Sequence, residues 1–497
     1  MGQDSTSTDG SVVLSTGPVA APVPRGGGAL LDRWTVPALR LRLPRARALS
    51  TARAGYIALS LMVLAVAAIV LFATAGTGPL VPNSDHGYPG WEAGPLHLLV
   101  AGLRIAYNPL DIIFSVIVML MLPLYGVVVA AVRAMSLRTL VWVVVGLHLI
   151  LLLGAPLQLN DVFNYLGYAR LGAVHGLNPY AHGIATILHD PVYRFSSWHH
   201  LRSPYGWLFS AVTYPIALLP IPVAYWVLKV LAVGLGLVFI WLVARCARLL
   251  GRDPRFAIVL VACNPIYLVY AVGGFHNDFF MLVPMMAAIV LMLERRDRSA
   301  GVMLALAVAV KFTAVLVLPF LLLGARPTRR RWQLLIGAGI GAVPIAALTV
   351  ALFGLHLPNL QDQSTLLTTY SVPNVIGLLI GAGGGAPWLL RVGNVVVVVA
   401  VAVLLRRRGN WLTGAGWATV ALIASLAWLM PWYVVWVLPL AALSDSVRLR
   451  RTAIAFTVFL VLSFVPSTGM MVRGQHINLM GSRVGHASQQ LQDKLAR

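Results

Sequence analysis

The sequence predicts an all-α polytopic membrane protein. Of its 497 residues, 59% are hydrophobic and only 10% are charged, and the mean hydropathy is +0.84. Apolar runs of roughly twenty residues recur along the chain, which is the length an α-helix needs to cross a bilayer. A soluble protein of this length could not bury so much apolar surface. We therefore expect about 11–13 transmembrane helices, with further juxtamembrane helices on the outer face.

The expected spans follow one another along the whole chain after a polar start. Two of the longer runs contain a predicted break, one near Lys311 and one at Pro431-Trp432-Tyr433. Residues 206–221 are interrupted by Pro215 and Pro220 and followed by Pro222, and we expect them to form an external juxtamembrane helix, because a span there would place an arginine cluster outside. The apolar runs lie at 56–76, 110–132, 139–158, 223–244, 257–273, 279–293, 300–323, 332–353, 387–405, 411–443 and 452–469.

The charge pattern sets the expected topology. The net charge is +22, and the basic residues lie in short clusters between apolar runs, as in cytoplasmic loops. This clustering argues against a nucleic-acid partner and indicates contact with membrane lipids. We expect 1–54 to be a disordered basic cytosolic tail, 55–470 to be the transmembrane domain, and 471–497 to be a C-terminal tail. A cytoplasmic N-terminus then places residues 159–205 outside the cell.

The strongest candidate for chemistry is Asp161, in the segment LNDVFNYLGYARLGAVHGLNPY at 159–180. A carboxylate at the edge of a membrane is costly unless it is used or paired. Asp161 could remove a proton from an acceptor hydroxyl. The alternative is that Asn160 and Asp161 cap the helix that follows. Tyr165 and Arg170 supply further polar groups in the same segment.

The rest of the predicted outer loop carries aromatic and polar side chains together. His199, Arg202 and Tyr205 lie among tryptophan and tyrosine residues. Sugars have apolar faces that stack on rings and hydroxyls that need hydrogen-bond partners, so this composition suits a sugar site. An interfacial aromatic belt is the alternative.

Two further motifs are expected on the same outer side. Gly273 and Gly274 permit a tight turn that carries His276, Asn277 and Asp278, although a plain loop is possible. Lys311 interrupts an apolar stretch, and a lysine at membrane depth is usually functional. Near the outer interface it could neutralise a lipid-linked phosphate; snorkelling to the surface is the alternative.

These motifs resemble one enzyme family. The segment DVFNYLGYARLGAVHGLNPY, the later DPVY, SPYG and HND, and the stretch AVAVKFTAVLVLPF resemble the polyprenol-phosphate-mannose-dependent alpha-1,6-mannosyltransferases of actinobacteria. These belong to the GT-C superfamily of integral-membrane glycosyltransferases. The likeness runs from about residue 55 to 470 and is most specific at 159–206. The chain departs from the family at Trp207, where a proline is expected.

The resemblance implies a GT-C-like catalytic domain in the plasma membrane, with an extracytoplasmic active site. The donor would be polyprenyl phosphomannose and the acceptor a growing mannan or lipoglycan of the lipomannan type. Asp161 matches the catalytic base, with Asp85 and Asp278 as rivals, because superfamily relatives often carry the acid directly after the first span. The donor phosphate or sugar would be bound by Arg170, Tyr165, His199, Arg202, Tyr205, His276, Asn277, Asp278 and Lys311.

No cofactor is required by the implied reaction, an inverting transfer. A divalent metal held by Asp161 and Asp278 is possible but not expected. Two other functions remain open: a GT-C transferase for another sugar such as arabinofuranose, and a membrane transporter or lipid flippase. A transporter predicts inverted repeats and polar residues at midplane breaks, whereas the polar residues here cluster at one outer face.

Overall fold

The computed structural model describes residues 45–75, 89–100, 102–158, 161–358 and 366–496, with side chains from residue 50 onward, Tyr107 excepted. These segments form α-helices joined by short turns. In chain order the helices are α1 (Arg45–Phe72), α2 (Tyr107–Ala131), α3 (Leu137–Leu152), α4 (Asp161–Ala173), α5 (Trp207–Ala217), α6 (Ile221–Leu249), α7 (Pro254–Ala262), α8 (Asp278–Leu293), α9 (Asp297–Val310), α10 (Leu318–Gly324), α11 (Thr328–Phe353), α12 (Val372–Leu379), α13 (Pro387–Arg406), α14 (Trp411–Ser425), α15 (Leu438–Leu443), α16 (Val447–Phe464), α17 (Pro466–Gly474) and α18 (Arg483–Ala496).

Several of these helices are long and apolar enough to cross a bilayer. They are α1, α2, α6, α11 and α13 among the described residues, and the bent pair α16–α17 makes a sixth if it counts as one span. Shorter apolar helices, including α3, α8 and α14, occupy most of the other predicted spans. The prediction of an all-α polytopic membrane protein is confirmed.

Both predicted helix breaks are present. Helix α9 ends at Val310, Lys311 is extended, and the chain continues as a 3-10 turn at Phe312–Val317 before α10 begins. Likewise α14 ends at Ser425, and a second 3-10 turn at Pro431–Trp436 precedes α15. The segment predicted to be juxtamembrane forms the eleven-residue helix α5. Short helices separated by extended residues leave backbone and side-chain polar groups free to face a site.

The tightest helix contact lies between α9 and α11. A Cβ added to Gly301 would collide with the carbonyl oxygen of Leu334, and one added to Gly337 would collide with that of Arg298. Backbones approach this closely only where side chains are absent. Gly301 and Gly337 therefore serve helix packing.

Helix α11 defines two faces of the molecule. Its 26 residues rise about 39 Å, enough to cross a bilayer. The carbonyl of Phe353, at its C-terminal end, accepts a hydrogen bond from Asn178, and the Phe353 ring packs edge-on against Tyr180. The end of α11 at Phe353 thus lies on the same face as residues 161–206, which we call the Asp161 face. Thr328 lies at the opposite face.

Helices occur within both predicted tails. Helix α1 begins at Arg45, inside the predicted 1–54 tail; residues 1–44 lie outside the described residues. The C-terminal 471–497 segment ends in the packed helix α18. The Leu495 carbonyl accepts a hydrogen bond from the His200 amide, and its side chain packs with Leu201 and Leu366. The C-terminal helix therefore covers part of the Asp161 face.

Candidate active site

Asp161 and His276 meet at the centre of the Asp161 face. Asp161 is the first residue of α4 and its side chain is 17% exposed, while that of His276 is 2% exposed. The His276 Nδ1 atom lies 3.3 Å from a carboxylate oxygen of Asp161, but it has no aligned hydrogen-bond partner among the described residues. The His276 ring stacks on Trp432, with centroids 3.6 Å apart. The carboxylate is thus accessible and lies beside a fixed imidazole.

The chain positions His276 through a turn that requires glycine. A π-helical segment, Tyr267–Val272, leads into Gly273 and Gly274. A Cβ on Gly274 would collide with the carbonyl of Tyr270, so a larger residue does not fit. The Gly273 carbonyl accepts a hydrogen bond of 2.8 Å from the Leu157 amide. That bond ties the turn to the chain that leads into Asp161.

Asn277 and Asp278 connect the same turn to α4 and to Lys311. The backbone amide of Asn277 donates a hydrogen bond to the Tyr165 hydroxyl at 3.1 Å. Asp278 is 1% exposed and accepts hydrogen bonds from Lys311 Nζ at 2.9 Å and from Trp436 Nε1 at 2.5 Å. Charge-assisted bonds of this kind are strong and compensate the burial of the carboxylate. Asp278 is therefore held by two donors, whereas Asp161 is not.

Lys311 lies at the break between α9 and α10, next to the break between α14 and α15. Its Nζ atom lies 5.1 Å from the ring centroid of Tyr433 and 4.9 Å from that of Trp436, in cation-π contact with both. Its side chain remains 24% exposed. The ammonium group is thus oriented by a carboxylate and two rings and is still accessible to an anion.

Tyr205 and Gly206 join the SPYG segment to this cluster. Tyr205 packs edge-on against Tyr165, with centroids 4.9 Å apart. Burial raises the pKa of both tyrosines well above the usual range, and the nearby negative charge of Asp161 acts in the same direction. A Cβ on Gly206 would collide with the carbonyls of Ala309 and Val310, the last residues before Lys311. The glycine thus permits backbone contact between the two motifs.

Three of the predicted residues lie elsewhere. Arg170 is about 13 Å along α4 from Asp161, where it forms an ion pair with Asp190 at 2.8 Å and donates to the Ala217 carbonyl. His199 stacks on Tyr193 at 3.9 Å, and its Nε2 lies 3.0 Å from the Tyr193 carbonyl. Arg202 is exposed, in an isolated antiparallel bridge with Gly183.

The Arg170–Asp190 pair joins α4 to the segment that follows it. Burial alone would raise the pKa of Asp190, but hydrogen bonds from Arg170, His175 and the Val192 amide hold it below its usual value. The carboxylate is 1% exposed and bonded on both oxygens. Arg170 therefore has a clear structural role in this face.

The remaining alternatives from the sequence are only partly described. Asp85, a rival to Asp161, and Asn160, the other possible cap, lie outside the described residues. Asp278, the second rival base, is engaged by Lys311 and Trp436. In the described ranges, no group of three or more His, Cys, Asp or Glu side chains is arranged to hold a metal ion.

Sequence reasoning missed two sets of residues near this site. Trp432 and Trp436 fall in an apolar run, and only their place beside a predicted break signalled a role. Glu92 and Lys229 are both buried near the turn. Lys229 Nζ donates to the Gly154 carbonyl at 2.6 Å and lies 4.8 Å from the Phe275 ring centroid.

Glu92 is 1% exposed and lies in a four-residue helix, Gly90–Ala93. Burial raises its pKa from a usual value near 4.5 to about 8, although the positive charge of Lys229 acts in the opposite direction. The carboxyl is thus held mostly in its neutral form at neutral pH.

Taken together, the site offers one accessible carboxylate and one accessible ammonium group. Both are positioned by the same turn, because His276 contacts Asp161 and Asp278 binds Lys311. A carboxylate can accept a proton from a hydroxyl, and an ammonium group can stabilise a departing phosphate. The arrangement suits transfer of a group from a phosphate leaving group to an alcohol.

Two family models match the chain. Residues 64–326 match the family described as alpha-(1->6)-mannopyranosyltransferase, N-terminal domain. Residues 372–483 match the MptB C-terminal domain. The first match covers more than half of the chain and includes Asp161, the His276–Asp278 turn and Lys311, which confirms the resemblance drawn from the motifs.

The curated relatives have low sequence identity to this chain but match it over long stretches. Alpha-(1->6)-mannopyranosyltransferase A of Mycobacterium tuberculosis is 28% identical over 351 residues, which is 64% of this chain and 67% of that protein. A probable alpha-(1->6)-mannopyranosyltransferase of Mycolicibacterium smegmatis is 26% identical over 62% of this chain and 66% of its own length. The chain thus spans about two thirds of these relatives. No solved structure gives a significant match. Since the family match covers more than half of its residues, the chain belongs to the alpha-(1->6)-mannopyranosyltransferase family.

Proposed function

We propose that this protein transfers mannose from a polyprenyl phosphate donor to a growing alpha-1,6-mannan of the lipomannan type, with inversion, at the extracytoplasmic face of the plasma membrane. Family membership supports mannosyl transfer. The observation that carries the proposal is the turn His276–Asp278, which places one residue against Asp161 and another against Lys311.

In the proposed reaction Asp161 acts as the base. Its carboxylate takes the proton of the acceptor hydroxyl while that oxygen attacks the anomeric carbon of mannose. The new carbon–oxygen bond forms as the bond from the anomeric carbon to the phosphate oxygen breaks. Attack from the face opposite the leaving group inverts the anomeric centre.

Lys311 stabilises the group that leaves. Polyprenyl phosphate departs with the bonding electrons, and the added negative charge develops on its oxygen. An ammonium group already fixed by Asp278 and two rings needs no reorganisation to meet that charge. His276 positions the Asp161 carboxylate, and Tyr165 and Tyr205 line the space between the two motifs.

The membrane setting supports a lipid-linked donor. Several described helices are long and apolar enough to cross a bilayer, and Lys311 lies at a break between helices, where a lipid-linked phosphate can approach from the side. The described part of the face opposite Asp161 is rich in arginine, which is the pattern of cytoplasmic loops. The positive-inside rule then supports an extracytoplasmic site and a cytoplasmic N-terminus.

The experiment compares donors with purified protein and a short alpha-1,6-mannoside acceptor. Polyprenyl phosphomannose, polyprenyl phosphoarabinose and GDP-mannose are offered separately, and the product linkage is determined by NMR. We expect alpha-1,6-linked mannose from polyprenyl phosphomannose alone. Transfer from GDP-mannose would overturn the lipid donor, and transfer only of arabinose would overturn the sugar.

A further inference from the structure

A second candidate site lies on the face opposite Asp161. A cavity of about 670 Å³ opens between the end of α10, the start of α11 and the end of α13, within the ordinary range of ligand pockets. It is lined by Leu323, Arg326, Pro327, Thr328, Arg331 and Arg408. Three of these six residues are arginines, and neither Asp161 nor any residue of its cluster contributes.

The three arginines have no acidic partner among the described residues. The described acids of that face are already engaged by other arginines, in the pairs Asp253–Arg255, Glu294–Arg245, Asp297–Arg330 and Asp445–Arg252. The Nε atom of Arg331 is fully buried and has no hydrogen-bond partner in the described structure. A buried donor without a partner is costly, so a ligand that accepts a hydrogen bond there would be stabilising.

A topology signal alone does not account for this geometry. Arginines that set membrane orientation need only lie in the cytoplasmic loops. Here Arg326, Arg331 and Arg408 line one cavity; Arg326 and Arg408 are exposed, whereas Arg331 is half-buried with its Nε enclosed. Guanidinium groups bind phosphate oxygens in a bidentate manner, which makes arginine the usual residue for phosphate recognition.

The position of the cavity also suits an amphiphilic ligand. Helix α11 begins at Thr328 and rises about 39 Å to the Asp161 face, so the cavity lies at the opposite membrane border. Leu323 and Pro327 give it an aliphatic wall. A headgroup at this depth would meet the arginines while its chains continue into the bilayer.

We propose that this cavity binds a phosphate group, carried either by an anionic lipid headgroup of that leaflet or by a soluble phosphate. Arg326, Arg331 and Arg408 neutralise the anion, and Arg331 Nε donates to one of its oxygens. The site is separate from the transfer site and does not depend on the donor proposed for it.

The test uses purified full-length protein in detergent. Phosphatidylglycerol is titrated and counted by native mass spectrometry, and sodium phosphate is titrated in a parallel thermal-unfolding series. The variant R326Q/R331Q/R408Q removes the lining charges. The matched variant R329Q/R406Q/R407Q removes equal charge from the same segments outside the cavity. R331K alone keeps the charge and loses the planar fork.

We expect the lining variant to weaken binding by at least about tenfold, as loss of charge-assisted hydrogen bonds implies, and the matched variant to bind as the wild type does. Loss confined to phosphatidylglycerol identifies a lipid headgroup, and loss confined to sodium phosphate identifies a soluble ligand. Equal loss in both triple variants, or no loss in the lining variant, would overturn the site. If a triple variant unfolds, binding by R331K is compared with binding by the wild type instead, because R331K keeps the charge and loses only the planar fork.

Discussion

His276 Nδ1 lies 3.3 Å from a carboxylate oxygen of Asp161 without an aligned hydrogen bond between them. The imidazole is fixed on Trp432 and almost fully buried, whereas the carboxylate is partly exposed. Catalytic hydrogen bonds are often long before substrate binds and shorten in the reacting complex. His276 is therefore placed to orient the Asp161 carboxylate, and the distance between the two side chains can shorten when the acceptor binds.

Replacing His276 with Phe tests this positioning role. The phenyl ring keeps the stacking on Trp432 but removes both nitrogens. We expect kcat to fall about 10- to 100-fold through misorientation of Asp161, with little change in KM for the acceptor. Steady-state kinetics with varied acceptor measure both. An unchanged kcat would show that Nδ1 does not assist Asp161.

We expect the positive charge of Lys311 to be needed for mannosyl transfer and not only for folding of the protein. Lys311→Met removes the ammonium group and leaves Asp278 buried without its cation. We expect kcat/KM for the donor to fall at least about 100-fold, because stabilisation of the leaving phosphate is lost.

A double variant separates the two roles of Lys311. Lys311→Met with Asp278→Asn contains no unpaired buried charge, so its thermal stability should recover relative to Lys311→Met. Its transfer activity should stay low. Recovery of activity together with stability would assign Lys311 a structural role alone.

Gly206 should not tolerate a side chain. Alanine there would place Cβ against the carbonyls of Ala309 and Val310, so Gly206→Ala should destabilise the protein by about 1–3 kcal/mol. Gly234→Ala is the matched control, because nothing lies within 4 Å of its added Cβ and α6 is helical there. Thermal unfolding of both variants measures the difference; equal midpoints would refute the close approach of the SPYG segment to α9.

Glu92 should make stability depend on pH. Its pKa rises from near 4.5 to about 8 in the folded protein, chiefly through burial. The folded state then holds a proton that the unfolded state releases across this window, so stability contributed by Glu92 falls as pH rises from about 4.5 to 8. Unfolding midpoints of wild type and Glu92→Gln, measured across that range, should diverge as pH rises. Parallel curves would contradict the raised pKa.

Several residues of the candidate site stand out in the sequence because they interrupt the surrounding apolar pattern. Asp161 and Lys311 each interrupt or end an apolar run, and such residues at membrane depth require a partner or a function. In the structure both residues find partners on one turn, because His276 contacts Asp161 and Asp278 binds Lys311. Gly273 and Gly274, which precede this turn, also indicated it in the sequence.

The rest depends on contacts between distant segments. Arg170 looked available in its own segment, yet Asp190, twenty residues later, binds it. The partners of Lys311 at Tyr433 and Trp436 lie more than a hundred residues away. The C-terminal helix contacts His200 and Leu201 through Leu495, although its local sequence indicates only an amphipathic segment. Such pairings follow from tertiary packing and have no local periodic signal.

The central claim is that Asp161 removes the acceptor proton, and Asp161→Asn tests it most directly. The amide keeps the size of the side chain but cannot act as the base, and thermal unfolding checks that the fold is retained. We predict that mannosyl transfer from polyprenyl phosphomannose to a short alpha-mannoside is reduced at least about 100-fold, the scale of general base catalysis. Transfer at the wild-type rate by Asp161→Asn would contradict the account and move the base to another carboxylate.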